Sequence, residues 1–82
     1  MFHRISSVKP LNGHVLEAVF LGGERRLYDM TPLFSKVPAF EAMKSTPGLF
    51  ESVHVDAGGY AVAWNDGLDL ESEDVWELGV PV

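Results

Sequence analysis

The sequence predicts a single α+β domain over residues 1–82, in which an antiparallel sheet of about five short strands follows the order β-β-β-α-β-β-α and the helices pack on one side. Three observations lead to this class. Two glycine pairs, Gly22-Gly23 and Gly58-Gly59, each separate two extended runs, as in β-hairpins. Helical segments that open with proline follow the first hairpin, and a short acidic helical segment follows the second. A chain of 82 residues has room for one modest core.

The first strand is expected from Ile5 to Lys9. Ile5 and Val8 have opposite parity, so both can face the core only if a β-bulge lies between them. Pro10 is expected to end this strand, and the Asn12-Gly13 pair that follows is typical of a turn.

The second and third strands are expected at His14 to Phe20 and Glu24 to Asp29. The second strand alternates clearly, and its core-facing residues are Leu16, Ala18 and Phe20. Gly22-Gly23 can adopt the positive φ angles that a type I′ turn requires, so the two strands are predicted to form a tight hairpin.

Two helical segments are expected in the middle of the chain. Thr31 is the predicted N-cap of the first, because Pro32 suits the first helical position. The second runs from Pro38 to Lys44, with Phe40 and Met43 on its buried face.

The second hairpin is predicted to turn at Gly58-Gly59 and to place a row of large side chains on one face: Tyr60, Val62 and Trp64. We assign Trp64 to the core because it alternates in step with Val62. The Asn65-Asp66-Gly67 corner follows, in which the Asp66 carboxylate is expected to accept a hydrogen bond from the local backbone.

The last helix is expected from Ser72 to Leu78, with Asp69 as its cap. Acidic residues fill its first turn, where the helix dipole favours negative charge. Gly79 is the predicted C-cap, and Pro81 follows as a common stop.

In this order and spacing, the motifs resemble a bacterial family known as domain of unknown function 2442. The motifs that carry the resemblance span nearly the whole chain: Phe20, Gly22, Gly23, Tyr28-Asp29-Met30, Pro32-Leu33, Phe50, Val53-His54-Val55, Trp64 to Leu70, and the helix that bears Trp76. The resemblance implies no established activity and no catalytic residue. It implies that some members form one half of a two-gene, toxin–antitoxin-like pair, and that others carry a C-terminal helix-turn-helix domain, which this sequence does not contain.

We assign structural roles to the residues that make the turns, corners and core of these motifs: Gly22, Gly23, Asp29, Gly58, Gly59, Trp64, Asp66, Gly67 and Asp69.

Composition excludes several classes of function. The chain has no cysteine, which excludes disulfides, thiolate metal sites and cysteine nucleophiles and is typical of cytoplasmic proteins. The first residues contain no long apolar run, so neither a signal peptide nor a membrane span is expected. A net charge of -6 opposes direct binding of nucleic acid, because the phosphates would be repelled.

The sequence offers little for catalysis, and we predict no catalytic residue, no metal and no cofactor. Asp66 and Asp69 form a carboxylate pair, but metal or acid–base chemistry needs further ligands or a group that shifts one pKa. The histidines share no ligand spacing and are expected to face solvent from strands: His3, His14 and His54. The alternative is a small metal-dependent or hydrolytic enzyme that uses Asp66, Asp69 and a histidine.

Negative charge is concentrated late in the chain. After Lys44 there is no lysine or arginine, and eight residues are acidic: Glu51, Asp56, Asp66, Asp69, Glu71, Glu73, Asp74 and Glu77. Such a face suits a basic protein partner, although a merely solubilising face explains it as well.

The candidate partner-binding residues are Glu71, Glu73, Asp74, Trp76 and Glu77. Trp76 is either an interface anchor rimmed by acids or a closing side chain of the core. The functional hypothesis is therefore a non-enzymatic, antitoxin-like or regulatory protein-binding module. A second alternative is a transcription-linked regulator that acts through a DNA-binding partner, and the sequence does not decide whether the chain forms homo-oligomers.

Overall fold

A computed structural model describes residues 2–82 of the chain. The described part contains seven strands: β1 (Ile5–Leu11), β2 (Val15–Phe20), β3 (Arg25–Asp29), β4 (His54–Val55), β5 (Ala61–Ala63), β6 (Asp69–Glu71) and β7 (Val80–Pro81). It also contains two α-helices, α1 (Thr31–Lys36) and α2 (Ser72–Leu78), and three 3-10 segments: Pro38–Lys44, Phe50–Ser52 and Ala57–Gly59.

The predicted α+β class is confirmed, with all strand pairs antiparallel. The strands form two sheets, one in the order β1-β2-β3-β7 and the other in the order β4-β5-β6, where the sequence had suggested a single sheet. The sequence pattern missed β6 and β7, because strands of two or three residues are too short to show alternation.

β1 contains the bulge that Ile5 and Val8 need in order to face the same side, since the register with β2 shifts between Ile5 and Ser7. The expectation that Pro10 ends the strand is wrong, because Pro10 pairs with Leu16 inside β1. β1 lies at one end of its sheet, where a residue without an N–H can be accommodated.

The turn between β2 and β3 is not the type I′ turn that the glycine pair had suggested. Only Gly23 has a positive φ, of 93°. The N–H of Gly23 donates to Phe20 C=O (2.9 Å), and the N–H of Phe20 donates to Glu24 C=O (2.8 Å). These bonds define a three-residue connection in which Gly23 takes the left-handed position of a bulge.

Helix α1 begins one residue earlier than its predicted cap implied. Met30 occupies the N-cap position, and Thr31 is the first helical residue. The Asp29 carboxylate accepts a hydrogen bond from the Thr31 N–H (3.0 Å), so Asp29 supplies the capping oxygen.

The core is one cluster to which both sheets contribute. The predicted buried positions Leu16, Ala18 and Phe20 of β2 are confirmed, as are Phe40 and Met43 in the 3-10 segment Pro38–Lys44. Trp64 is also buried as predicted, and its indole N–H donates to Phe50 C=O (3.2 Å).

Helix α2 joins the two sheets, because it contacts both β3 and β6. Its buried residues are Ser72 and Val75, and the predicted C-cap Gly79 donates its N–H to Val75 C=O (3.0 Å). Pro81 does more than end the helix, since it belongs to β7 and pairs with Arg26. No helix within residues 2–82 has both the length and the apolar character needed to cross a membrane.

Candidate protein-interaction surface

The acidic residues near the C-terminus lie on β6 and α2, but they do not form one uniform face. Glu71 ends β6 and takes the N-cap position of α2, with its side chain exposed. Asp74 and Glu77 are exposed on the helix, whereas Glu73 is partly buried.

The corner between β6 and α2 borders a groove of about 570 Å³, which we call the β6 groove. It is lined by acidic, aromatic and small residues: Phe2, Tyr60, Ala61, Asp69, Glu71, Ser72 and Glu73. Of the five predicted partner-binding residues, the structure brings only Glu71 and Glu73 into this groove. It adds a third carboxylate, that of Asp69, which the sequence had suggested as a helix cap.

An exposed aromatic pair forms one wall of the β6 groove. The rings of Phe2 and Tyr60 meet edge to face with their centroids 6.2 Å apart, and the two residues are 71% and 50% exposed. The prediction that Tyr60 belongs to the same strand row as Val62 and Trp64 is wrong, because β5 begins only at Ala61.

The Tyr60 ring already contacts a cation of its own chain. The Arg4 guanidinium carbon lies 5.3 Å from the ring centroid, and Arg4 Nε donates to Gly58 C=O (2.6 Å). This distance is in the range of cation–π attraction, so the wall of the groove is suited to positively charged side chains.

Glu73 is held in place by the N-terminal segment. The His3 backbone N–H donates to the Glu73 carboxylate, and the His3 imidazole Nδ1 lies 3.2 Å from both carboxylate oxygens. The backbone hydrogen bond is the main cause that lowers the pKa of Glu73 below its ordinary value, and the imidazole contact lowers it further against the effect of desolvation. Glu73 therefore keeps its negative charge at the edge of the groove.

Trp76 is enclosed by side chains of its own chain. The His3 imidazole stacks on the indole with centroids 3.7 Å apart and planes 6° apart, and the Arg26 guanidinium carbon lies 3.9 Å from the ring centroid. Phe20 contacts the ring edge-on at 5.0 Å. Through these contacts, Trp76 packs the N-terminal segment and β3 against α2. This favours Trp76 as a side chain that closes the core over Trp76 as an anchor of a protein interface.

Asp74 is oriented away from the β6 groove. Its carboxylate influences Tyr28 in β3, whose pKa is raised chiefly by burial and further by the negative charge of Asp74. Asp74 is also not among the residues that line the groove. Glu73 and Asp74 of α2 therefore lie on different sides of the helix.

The two aspartates of the carboxylate-pair hypothesis have separate roles. The Asp66 carboxylate accepts a hydrogen bond from the Leu68 N–H (3.1 Å), which confirms its predicted bond to the local backbone. The prediction that Asp69 caps α2 is wrong, because Asp69 belongs to β6 and pairs with Ala63. Within residues 2–82, no group of three or more histidine, aspartate or glutamate side chains is placed to hold a metal ion.

The histidines do not all face solvent from strands, as the sequence had suggested. His54 is exposed in β4, whereas His3 stacks on Trp76. His14 lies in the turn before β2 at a φ of 59°, and its ring contacts Phe34 and Phe50 edge-on. The structure places these three side chains in three different surroundings.

Sequence reasoning did not identify Phe2, His3 and Tyr60 as parts of this surface. Phe2 and His3 precede the first strand, and their partners Tyr60, Glu73 and Trp76 come late in the chain. No local periodicity connects residues so far apart. The sequence offered one usable signal. Phe2 and His3, an aromatic residue and a histidine, precede the first predicted strand and have no structural role in the predicted fold.

Comparison with known proteins identifies a family but no individual relative. A family model described as "Protein of unknown function (DUF2442)" matches residues 5–81, which is nearly the whole chain. No curated protein and no solved structure matches the sequence.

Proposed function

Because the chain belongs to the DUF2442 family, whose description names no activity, we propose a function from its surface: a non-enzymatic protein-binding module whose acidic face binds a basic protein partner. The observation that carries this proposal is the β6 groove, which is lined both by the acidic residues Asp69, Glu71 and Glu73 and by the exposed aromatic pair Phe2 and Tyr60.

The groove combines the two kinds of contact that lysine and arginine side chains make. Carboxylates attract the charged head, while the rings of Phe2 and Tyr60 accept its aliphatic stem and its cation. An aromatic pair as exposed as this is unusual for a side-chain contact that only stabilises the fold, and aromatics are enriched at protein interfaces.

Charge favours a protein partner over nucleic acid. The chain has a net charge of -6, and eight of its twelve acidic residues come after Lys44. The resulting field repels phosphates and speeds the encounter with a basic protein. This kind of binding suits an antitoxin-like or regulatory role, in which a small acidic protein covers a basic surface of its partner.

A charge-reversal experiment tests the proposal. The face-reversed variant carries Asp69→Lys and Glu71→Lys, both at exposed positions that line the β6 groove. The matched control carries Glu24→Lys and Glu41→Lys, which are also exposed and change the net charge equally, but lie outside α2 and the β6 groove. Glu73 is left intact because it binds His3.

Each tagged protein is used to capture partners from lysate of the source cells at low salt, with mass spectrometry of the bound proteins. We expect the unmodified protein and the control to retain the same basic protein, and a salt wash to release it. The face-reversed variant should lose it. Equal capture by the face-reversed variant and the control would overturn the proposal.

A further inference from the structure

Strand β6 is an edge strand, and the backbone groups of two of its residues, Asp69 and Glu71, are oriented away from β5. The N–H of Trp64 donates to Leu68 C=O (3.0 Å), and the N–H of Ser72 donates to Tyr60 C=O (2.9 Å). Residues 68, 70 and 72 therefore turn their backbone groups toward β5. Backbone N–H and C=O groups point to alternate sides along an antiparallel strand, so the backbone groups of Asp69 and Glu71 are directed away from β5. No other strand within residues 2–82 pairs with β6.

We propose that β6 binds its partner by strand addition: an extended segment with basic residues at alternate positions pairs with Asp69–Glu71 as a fourth strand of the small sheet. This inference rests on the proposed function and adds the mode of binding and the chemistry of the segment. Strand addition is a general route by which exposed sheet edges recognise peptides, with the backbone giving affinity and alternate side chains giving specificity.

The side chains of β6 define the pattern that such a segment requires. Asp69 and Glu71 are exposed on the outer face of the sheet, whereas Leu70 is 7% exposed and faces the core. Side chains of an added strand would lie beside them at cross-strand distance, about 5 Å between Cβ atoms. Lysine or arginine therefore suits the positions next to the carboxylates, and an apolar residue suits the position next to Leu70.

The same charges disfavour a second copy of this chain as the occupant. Antiparallel pairing of β6 with itself around Leu70 would place Asp69 opposite Glu71 twice, and like charges directly opposite each other are destabilising. With a basic segment, the carboxylates of Asp69 and Glu71 would each lie opposite a positive charge, and both cross-strand pairs would be attractive.

The β7 edge of the other sheet is closed to the same mode of binding. The N–H of Val82 donates to Arg25 C=O (3.3 Å) and Pro81 pairs with Arg26, so the backbone of Pro81 is oriented away from β3. Proline has no N–H to donate at that position. The β7 edge therefore offers a poor template for a further strand, in contrast with β6.

Glu71 permits a direct test of the backbone contribution. Its φ of -67° is the angle that proline adopts, and its N–H faces away from β5. Glu71→Pro thus removes the outward N–H, and Glu71→Ala is the matched control that removes the same charge but keeps the N–H. The probe is a fluorescein-labelled peptide of alternating lysine and valine, with the dissociation constant measured by fluorescence anisotropy at low salt.

We expect Glu71→Pro to raise the dissociation constant about tenfold more than Glu71→Ala, which corresponds to one hydrogen bond. A second comparison uses the unmodified protein and does not depend on how the proline variant folds. The same peptide, N-methylated at the residues whose amides would face β6, keeps its charge and should bind at least tenfold more weakly. In the unmodified complex, the Asp69 and Glu71 amide protons should become protected from hydrogen exchange.

Two results would overturn strand addition. One is equal affinity for the methylated and unmethylated peptides, together with equal effects of the proline and alanine substitutions where both fold. The other is no measurable binding of the alternating peptide. If the first result came with loss of partner capture by the face-reversed variant, the β6 groove would bind by charge alone and the proposed function would stand without its strand-addition mode.

Discussion

Replacing Trp76 with alanine should destabilise the fold by about 2–4 kcal/mol, and the contacts of the indole give this magnitude. The ring makes one stacked and one edge-on aromatic contact, with His3 and Phe20, and each such pair contributes about 0.5–1.5 kcal/mol beyond buried area. The Arg26 cation over its other face adds roughly 0.5–1 kcal/mol. Because Trp76 is only partly buried, the total should not exceed the range of about 3–5 kcal/mol seen when a core tryptophan is removed.

The free energy of unfolding is measured by urea denaturation, with Trp64 as the remaining fluorescent reporter in the core. Trp76→Phe keeps a ring between His3 and Arg26 and should recover much of the loss. Leu78→Ala on the same helix removes a side chain that is 71% exposed and should change stability by less than about 0.5 kcal/mol. If Trp76→Ala lowered the free energy of unfolding by less than about 0.5 kcal/mol, Trp76 would not be a packing residue of the fold. It would then be a candidate anchor of a protein interface.

Two further predictions concern other contacts of the N-terminal segment. Gly59→Ala should destabilise the protein by about 1–3 kcal/mol more than Gly13→Ala in thermal unfolding. Both residues have φ near 80°, but a Cβ at Gly59 would lie 2.5 Å from Ile5 O, whereas one at Gly13 meets nothing within 4 Å; equal melting temperatures would contradict this. The lowered pKa of Glu73 in the folded state means that the unfolded state binds more protons in acid, so stability rises with pH over that range. The contribution of Glu73 should be complete above about pH 5 and be lost as the pH falls below its ordinary pKa of about 4.3. Glu73→Gln should reduce the rise in the free energy of unfolding with pH over this range. If the substitution left this pH dependence unchanged, the bond between Glu73 and His3 would not be formed in solution.

The parts of the fold that the sequence predicted correctly are those with several residues of regular alternation or clear end signals. Leu16, Ala18 and Phe20 identified the buried face of β2, and Gly79 identified the end of α2. Parity indicated that Ile5 and Val8 can share a face only across a bulge, and the register shifts between Ile5 and Ser7. Where the elements are very short, as in β6 and β7, tertiary pairing rather than local pattern determines the structure, and the sequence had no signal to offer.

The candidate surface was predictable only in its charge. Glu71 and Glu73 stood out because of the acidic run, but their meeting with Phe2 and Tyr60 depends on the fold. Asp69 shows the same limit: a carboxylate shortly before a helix is typical of a cap, and only the pairing with Ala63 reveals a strand residue. Charge composition is a property of the sequence, whereas a groove is a property of the arrangement of distant segments.

The pairing of β3 with β7 has a consequence for how the protein is made. β1, β2 and β3 are joined by short turns and can associate as soon as they leave the ribosome. The other edge of β3 is covered only when Val80 and Pro81 arrive, after the second sheet and α2 have been synthesised. During translation, the nascent chain thus exposes a strand edge that the finished protein covers. The synthesis of Val80 and Pro81 ends the interval in which two growing chains could pair with each other through this edge.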